Sequence, residues 1–335
     1  MSTTRVPVID IAPFRDGTPQ SRRQVAEQVA EACRDTGFLV ISGHGVDTAL
    51  VADMFDKSRR FFELPLAEKE TVKRPDAGHI RGYSGIESES FGLLEGDAAP
   101  PDLREIYDVG PIEVPADDPY FVAEAAGAHF APNRWPSTPP GFEATYRAYY
   151  RSMEKLTLEI FQIIATALDL PDHFFENKVN RHISILRANY YPRQVKPPRP
   201  NQIRGGGHTD YTAFTILWQE DVPAGGLQIR NRDGVWIDVA AVPETFVVNL
   251  GDSMMRWTND TWVSTMHRVV NPPPEIAAQH SRISIAYFVQ PNYDAAIECI
   301  ESCATDEKPP KYPPVLNGAY LTMKFSQQNA VAGAY

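Results

Sequence analysis

The chain has 335 residues, of which 43% are hydrophobic and 10% aromatic. That is enough apolar material for one large domain or two small ones, and it excludes a disordered chain. The net charge of −11 argues against a nucleic-acid backbone as partner, because such binders usually carry a basic patch. No window approaches the ~18 apolar residues of a membrane span, and the start lacks the basic-then-apolar pattern of a secretory signal. Three sparse cysteines, Cys33, Cys299 and Cys303, suit a reducing compartment. A cytoplasmic protein, monomeric by default, is therefore expected.

Residues 7–11 read as a short strand. Ser21 is expected to cap a helix over 22–34, whose Val25, Ala26, Val29, Ala30 and Cys33 share one face, and Gly37 ends it. The apolar run 38–41 is a strand. A second helix, 47–63, carries Val51, Met54, Phe55 and Phe61, and Pro65 closes it. Residues 73–140 are rich in Gly, Pro and Asp and read as long loops with short strands. Tyr83, Phe91, Tyr107, Phe121 and Trp135 mark this stretch as packed rather than as a linker. A long helix follows over 142–168, with Leu156, Ile160, Ile163, Ile164 and Ala167 at helical spacing as core residues.

After Pro171 the pattern changes. Short β-rich runs at 184–191, 213–218, 227–230, 235–238, 245–249, 263–270 and 283–289 are each bounded by turn residues, which indicates a β-sandwich or barrel. Residues 231–234 form a hairpin-turn candidate, and the Pro-rich segment 196–200 reads as a loop over the barrel mouth. The expected organisation is a helix-rich region, 1–180, packing on a β domain, 181–335, as one structural unit.

His208 and Asp210 are separated by one residue, so on a strand both side chains point to the same side. His267 falls in another expected strand that a barrel could bring alongside. Two imidazoles and one carboxylate leave three coordination positions open, the geometry of non-haem Fe(II) oxygenases. A lone His-x-Asp is common, and zinc accepts the same ligands. Cys299 and Cys303 have no matching Cys/His pair. Arg282 and Ser284, one strand later, could hold the far carboxylate of a 2-oxo acid.

Several segments in order carry a family resemblance. They are Pro7-Val8-Ile9-Asp10, Gly37-Phe38, Gly43-His44-Gly45, Phe61-Phe62-Glu63-Leu64-Pro65, Arg104-Glu105 and Asn133-Arg134-Trp135-Pro136 in the first half. The second half adds Asn189-Tyr190-Tyr191-Pro192, His208-Thr209-Asp210, Gly225-Gly226-Leu227-Gln228, Val248-Asn249-Leu250-Gly251-Asp252, Ser264 with His267-Arg268-Val269, and Arg282-Ile283-Ser284. In this order and spacing they resemble the isopenicillin-N-synthase-like branch of the 2-oxoglutarate/Fe(II)-dependent dioxygenases, over nearly the whole chain.

The resemblance implies a mainly β fold, a double-stranded β-helix (jelly roll) with flanking helices. It implies His208, Asp210 and His267 as the catalytic iron ligands. Arg282 and Ser284 would hold the 5-carboxylate of 2-oxoglutarate, Tyr191 would add a phenol to it, and Asn189 would reach the keto-acid end. Phe288 matches a position that stacks on flat substrates. Arg187, Gln290, Tyr211 and Tyr83 would line the same pocket, Arg187 allowing for a carboxylate on the substrate. Arg204, before a Gly205-Gly206-Gly207 loop, is assigned to solvent rather than to an anionic substrate, and His44 to a structural role.

The implied reaction takes Fe(II), 2-oxoglutarate and O2 and hydroxylates, desaturates or cyclises a small organic metabolite, giving succinate and CO2, as in specialised metabolism. Alternatives are an Fe(II) oxidase that uses no 2-oxoglutarate, of the isopenicillin-N-synthase or ACC-oxidase type, an ethylene-forming type that fragments 2-oxoglutarate, a non-catalytic metabolite-binding barrel and a zinc hydrolase.

Overall fold

The computed structural model describes residues 5–76, 79–90, 100–222 and 226–332, with side chains in the last helix described to 326. Phe91 and Gly225 lie outside the described residues. The strands are β1 (Val8–Asp10), β2 (Phe38–Ser42), β3 (Gly82–Ser84), β4 (Glu105–Val109), β5 (Ile185–Tyr191), β6 (Gly205–His208) and β7 (Phe214–Gln219). They continue with β8 (Leu227–Arg230), β9 (Trp236–Asp238), β10 (Phe246–Leu250), β11 (His267–Val269), β12 (Arg282–Val289), β13 (Ala296–Ile297) and β14 (Val315–Leu316). The fold is mainly β with flanking helices, a jelly roll. A major sheet runs β1-β2-β10-β7-β12-β5-β4-β3, a minor one β6-β11-β8-β9, and β13 pairs with β14. The N-terminal region supplies both edges of the major sheet, β1-β2 on one side and β4-β3 on the other.

Alternation on β12 divides the molecule into its two functions. Ile283, Ile285, Tyr287 and Val289 are buried in the main core, where Tyr287 meets Tyr150 of the helix Phe142–Ala167 with ring centroids 5.1 Å apart. Phe214 of β7 meets Phe161 of the same helix at 4.9 Å. Each such side chain contributes roughly 1.5–3 kcal/mol through burial, which fixes the long helix on the outer face of the sheet. The alternate residues, Arg282, Ser284, Ala286 and Phe288, face a cavity instead.

Three local expectations change. The first long helix, Pro19–Asp35, is capped by Thr18, whose side chain accepts from the Ser21 N–H. Ser21 lies inside the first turn because Pro19 takes the opening helical position, where a missing N–H costs nothing. The run 263–270 is a strand only over His267–Val269. Before it, Ser264 Oγ donates to Asp252 Oδ1 at 2.9 Å and Thr265 Oγ1 to the Thr36 carbonyl at 2.6 Å, so these residues are tied to a helix start and a helix end rather than to a ladder. Gly205-Gly206-Gly207, expected as a loop, is strand β6, held by pairing with β11.

Gly37 has φ +67°, and a Cβ there would come within 2.1 Å of the Val263 carbonyl oxygen. Only glycine closes that turn into β2.

Candidate active site

His208 is the last residue of β6 and pairs directly with His267, the first residue of β11. Asp210 lies just past the end of β6, so the alternation that aims it with His208 continues beyond the ladder. The imidazole centroids are 4.3 Å apart. Each Nδ1 faces a backbone carbonyl, Gly206 at 2.8 Å for His208 and Thr265 at 3.1 Å for His267. That fixes the tautomer and makes each Nε2 the lone-pair nitrogen. Both Nε2 atoms stand 3.7 Å from Asp210 Oδ1.

Asp210 Oδ2 accepts from Thr215 Oγ1 at 2.6 Å and Asn249 Nδ2 at 2.7 Å, so Oδ1 alone is presented. Burial pushes the carboxyl's pKa up, but the two histidines and these two donors outweigh it and hold the group below its usual range. Burial, reinforced by His267, pushes the pKa of His208 down. The ligand atoms lie within 4.8 Å of one another, and no thiolate is among them. A charged carboxylate beside neutral imidazole nitrogen fits Fe(II).

A cavity opens from the triad between the two sheets. The major sheet contributes Asn189 and Tyr191 from β5 and Arg282, Ser284 and Phe288 from β12; the minor sheet contributes the histidines and Val269. Register brings the expected co-substrate residues together, because Arg282 pairs with Tyr191 and Ser284 with Asn189. Arg282 is 1% exposed, and its Nη2 donates to the neutral Gln219 Oε1 at 3.0 Å. Its Nε and Nη1, and Asn189 Oδ1, are buried with no hydrogen-bond partner among the described residues. The unpaired guanidinium donors of Arg282 fit the distal carboxylate of a 2-oxo acid.

A second cavity meets the first at His208, Asp210, Arg104 and Phe288. Arg187, Gln290 and Tyr211 line it, as do Leu321 and Phe325 of the C-terminal helix. Gln290 is 2% exposed, and its side-chain oxygen has no partner among the described residues.

Two expectations are corrected here. Arg187 is not available to a substrate carboxylate: it bonds Asp108 through Nε at 2.7 Å and Nη2 at 2.9 Å, and Glu89 through Nη1 at 2.9 Å and Nη2 at 3.2 Å. Tyr83 does not face the cavity. It is 2% exposed in the main core, with its hydroxyl donating to Glu105 Oε2 at 2.5 Å.

Burial raises the pKa of Glu89, but Arg187, Arg104 and Arg74 outweigh it and bring it down to about 2. Arg187→Met should therefore strip the fully buried Asp108 of two short hydrogen bonds, leaving it Arg74 at 3.8 Å while Glu89 keeps Arg104 and Arg74, and cost about 3–5 kcal/mol of stability. A lower denaturant midpoint is the expected reading; an unchanged one would show that the network carries no such load.

Residues 6–138 match a family described as the N-terminal region of non-haem dioxygenases in morphine synthesis, and residues 182–291 match the 2OG-Fe(II) oxygenase superfamily. A 2-oxoglutarate-Fe(II) type oxidoreductase of Emericella nidulans is 33% identical, over 100% of this chain and 93% of its own. A full-length Neurospora crassa protein solved in complex with alpha-KG aligns at a TM-score of 0.84 and 30% identity, covering 96% of each chain. JOX2 with 2OG, Fe and JA aligns at 0.76 and 29% identity, over 96% of this chain and 85% of that one. The chain belongs to the 2OG-Fe(II) oxygenase superfamily: it is a non-haem Fe(II)/2-oxoglutarate-dependent dioxygenase. Among the described residues, no helix is long and apolar enough to cross a membrane.

Proposed function

We propose that His208, Asp210 and His267 hold the iron, that Arg282, Ser284, Tyr191 and Asn189 hold 2-oxoglutarate, and that the second cavity takes a small, flat, uncharged substrate with a polar edge. The observation that carries this reading is the junction of two cavities at three ligand atoms, two Nε2 and one Oδ1, each aimed by a hydrogen bond to its own opposite atom. Bound there, the iron supplies oxygen activation that couples keto-acid decarboxylation to oxidation of a C–H bond.

The protein's part is positioning and exclusion of water. Thr215 and Asn249 keep Asp210 monodentate toward the metal. Phe288 lies at the boundary of both cavities, so a substrate stacked on it is set beside the metal and apart from the co-substrate. Leu321 and Phe325 line the same cavity, and apolar walls keep bulk water from the reacting atoms.

The uncharged character follows from the pairing of Arg187 with Asp108 and Glu89. Flatness follows from Phe288, and the polar edge from the unpaired oxygen of Gln290. The Neurospora crassa protein, 30% identical, has also been solved with thymine, a ligand of this kind.

Succinate release over a panel of planar heterocycles and their carboxylated analogues tests the reading. Neutral rings should stimulate turnover and carboxylates should not. Phe288→Ala should raise the KM of an accepted ring about tenfold, the worth of one aromatic contact, while 2-oxoglutarate still binds. Stimulation by the carboxylates alone would overturn the substrate class.

A further inference from the structure

We propose that Arg204 is a second cationic anchor of the co-substrate cavity, making it selective for a 2-oxo acid with a distal carboxylate over one without. The proposal rests on the reading of Arg282 as the holder of that carboxylate. Arg204 immediately precedes β6 and stands against Tyr191, whose side chain lines the co-substrate cavity. It is 0% exposed, and its Nε, Nη1 and Nη2 all lack a hydrogen-bond partner among the described residues. Its Cζ stands 5.7 Å from the centroid of the Tyr191 ring, and Arg282 Cζ stands 5.2 Å from the same centroid.

Other buried arginines near the site are matched with acids: Arg187 bonds Asp108 and Glu89, and Arg104 bonds Glu89. The two guanidiniums at Tyr191 have no such acid among the described residues. Glu220, the carboxylate that bears on Arg282, is already bonded to Arg59 at 2.7 Å and to the Ile283 N–H at 3.0 Å. Burial and the neighbouring Arg282 bring the pKa of Arg204 down to about 10, so it stays charged at neutral pH.

A buried guanidinium with no counter-ion is unfavourable, and an arriving anion relieves it. 2-Oxoglutarate carries one carboxylate toward the metal and another toward Arg282. The second cation adds its attraction to that far carboxylate only. A 2-oxo acid ending in a methyl group gains nothing from it.

The test is anaerobic titration of the Fe(II)-loaded protein with 2-oxoglutarate and with 2-oxopentanoate, its equal in chain length, followed by the visible charge-transfer band. Melting temperature without either acid is read alongside. In Arg204→Met the affinity for 2-oxoglutarate should fall about tenfold or more, the worth of one charge-assisted contact, with 2-oxopentanoate unchanged. The ligand-free protein should melt higher, because an uncompensated charge is gone. Arg204→Lys, which keeps the charge, should keep most of the preference and serves if the methionine variant does not fold.

Unchanged 2-oxoglutarate affinity, or equal weakening of both acids, would overturn the proposal. Wild-type protein that gives no band with 2-oxoglutarate would instead remove the assignment of the cavity on which it depends.

Discussion

His267→Ala should abolish iron retention, 2-oxoglutarate turnover and substrate oxidation together. In the proposed centre the imidazole is one of three ligands, and the other two cannot replace it. Asp210 Oδ2 is committed to Thr215 and Asn249, so the carboxylate cannot turn to offer a second oxygen without breaking two short hydrogen bonds. His208 is fixed by Gly206 behind it. The variant also removes the ring that packs edge-on to Phe38 at 5.5 Å, so a stability measurement must accompany the metal analysis. Thr215→Val is the graded companion. It keeps all three ligands and removes one of the hydrogen bonds that orient Asp210, for which an affinity loss of about 10–100-fold is expected. Metal content after anaerobic loading reads both variants. Full iron content in folded His267→Ala would place the metal elsewhere.

What is legible in the sequence follows from periodicity. The long helix 142–167 is readable because its core residues recur at helical spacing, and Arg282, Ser284 and Phe288 share a face because strands alternate. What is not legible depends on partners distant in sequence. Arg187 looks like a substrate-binding cation until β4 brings Asp108 beside it and Glu89 closes over it. Arg204 looks solvent-exposed because three glycines follow it, and glycine runs usually mark loops. Here they form a strand against β11, which carries the arginine inside. Tyr83 sits in a region of loops, where no period shows which way a ring points. Sequence reasoning misses Thr215 and Asn249 as supports of Asp210, although Asn249 lies within a segment that carries the family resemblance. A hydrogen bond between β10 and the end of β6 has no signal in either strand alone.

Arg282→Ala should leave iron binding intact and raise the dissociation constant for 2-oxoglutarate about 30-fold or more. The factor follows from the roughly 2–5 kcal/mol lost when one partner of a buried charged pair is truncated. Ser284 and Tyr191 remain as neutral donors, and neither replaces a planar cation that offers two parallel N–H groups to a carboxylate. Arg282→Lys should recover part of the loss through charge but not through geometry. The keto-acid end is untouched, since Asn189 and the metal ligands are unchanged. The charge-transfer band at saturation should therefore keep its wild-type intensity while its midpoint moves. That separation distinguishes a distal-carboxylate site from general damage to the cavity, which would lower both. A midpoint that does not move would mean that the far carboxylate is bound away from β12. The buried, unpaired nitrogens of Arg282 would then need another anion to explain them.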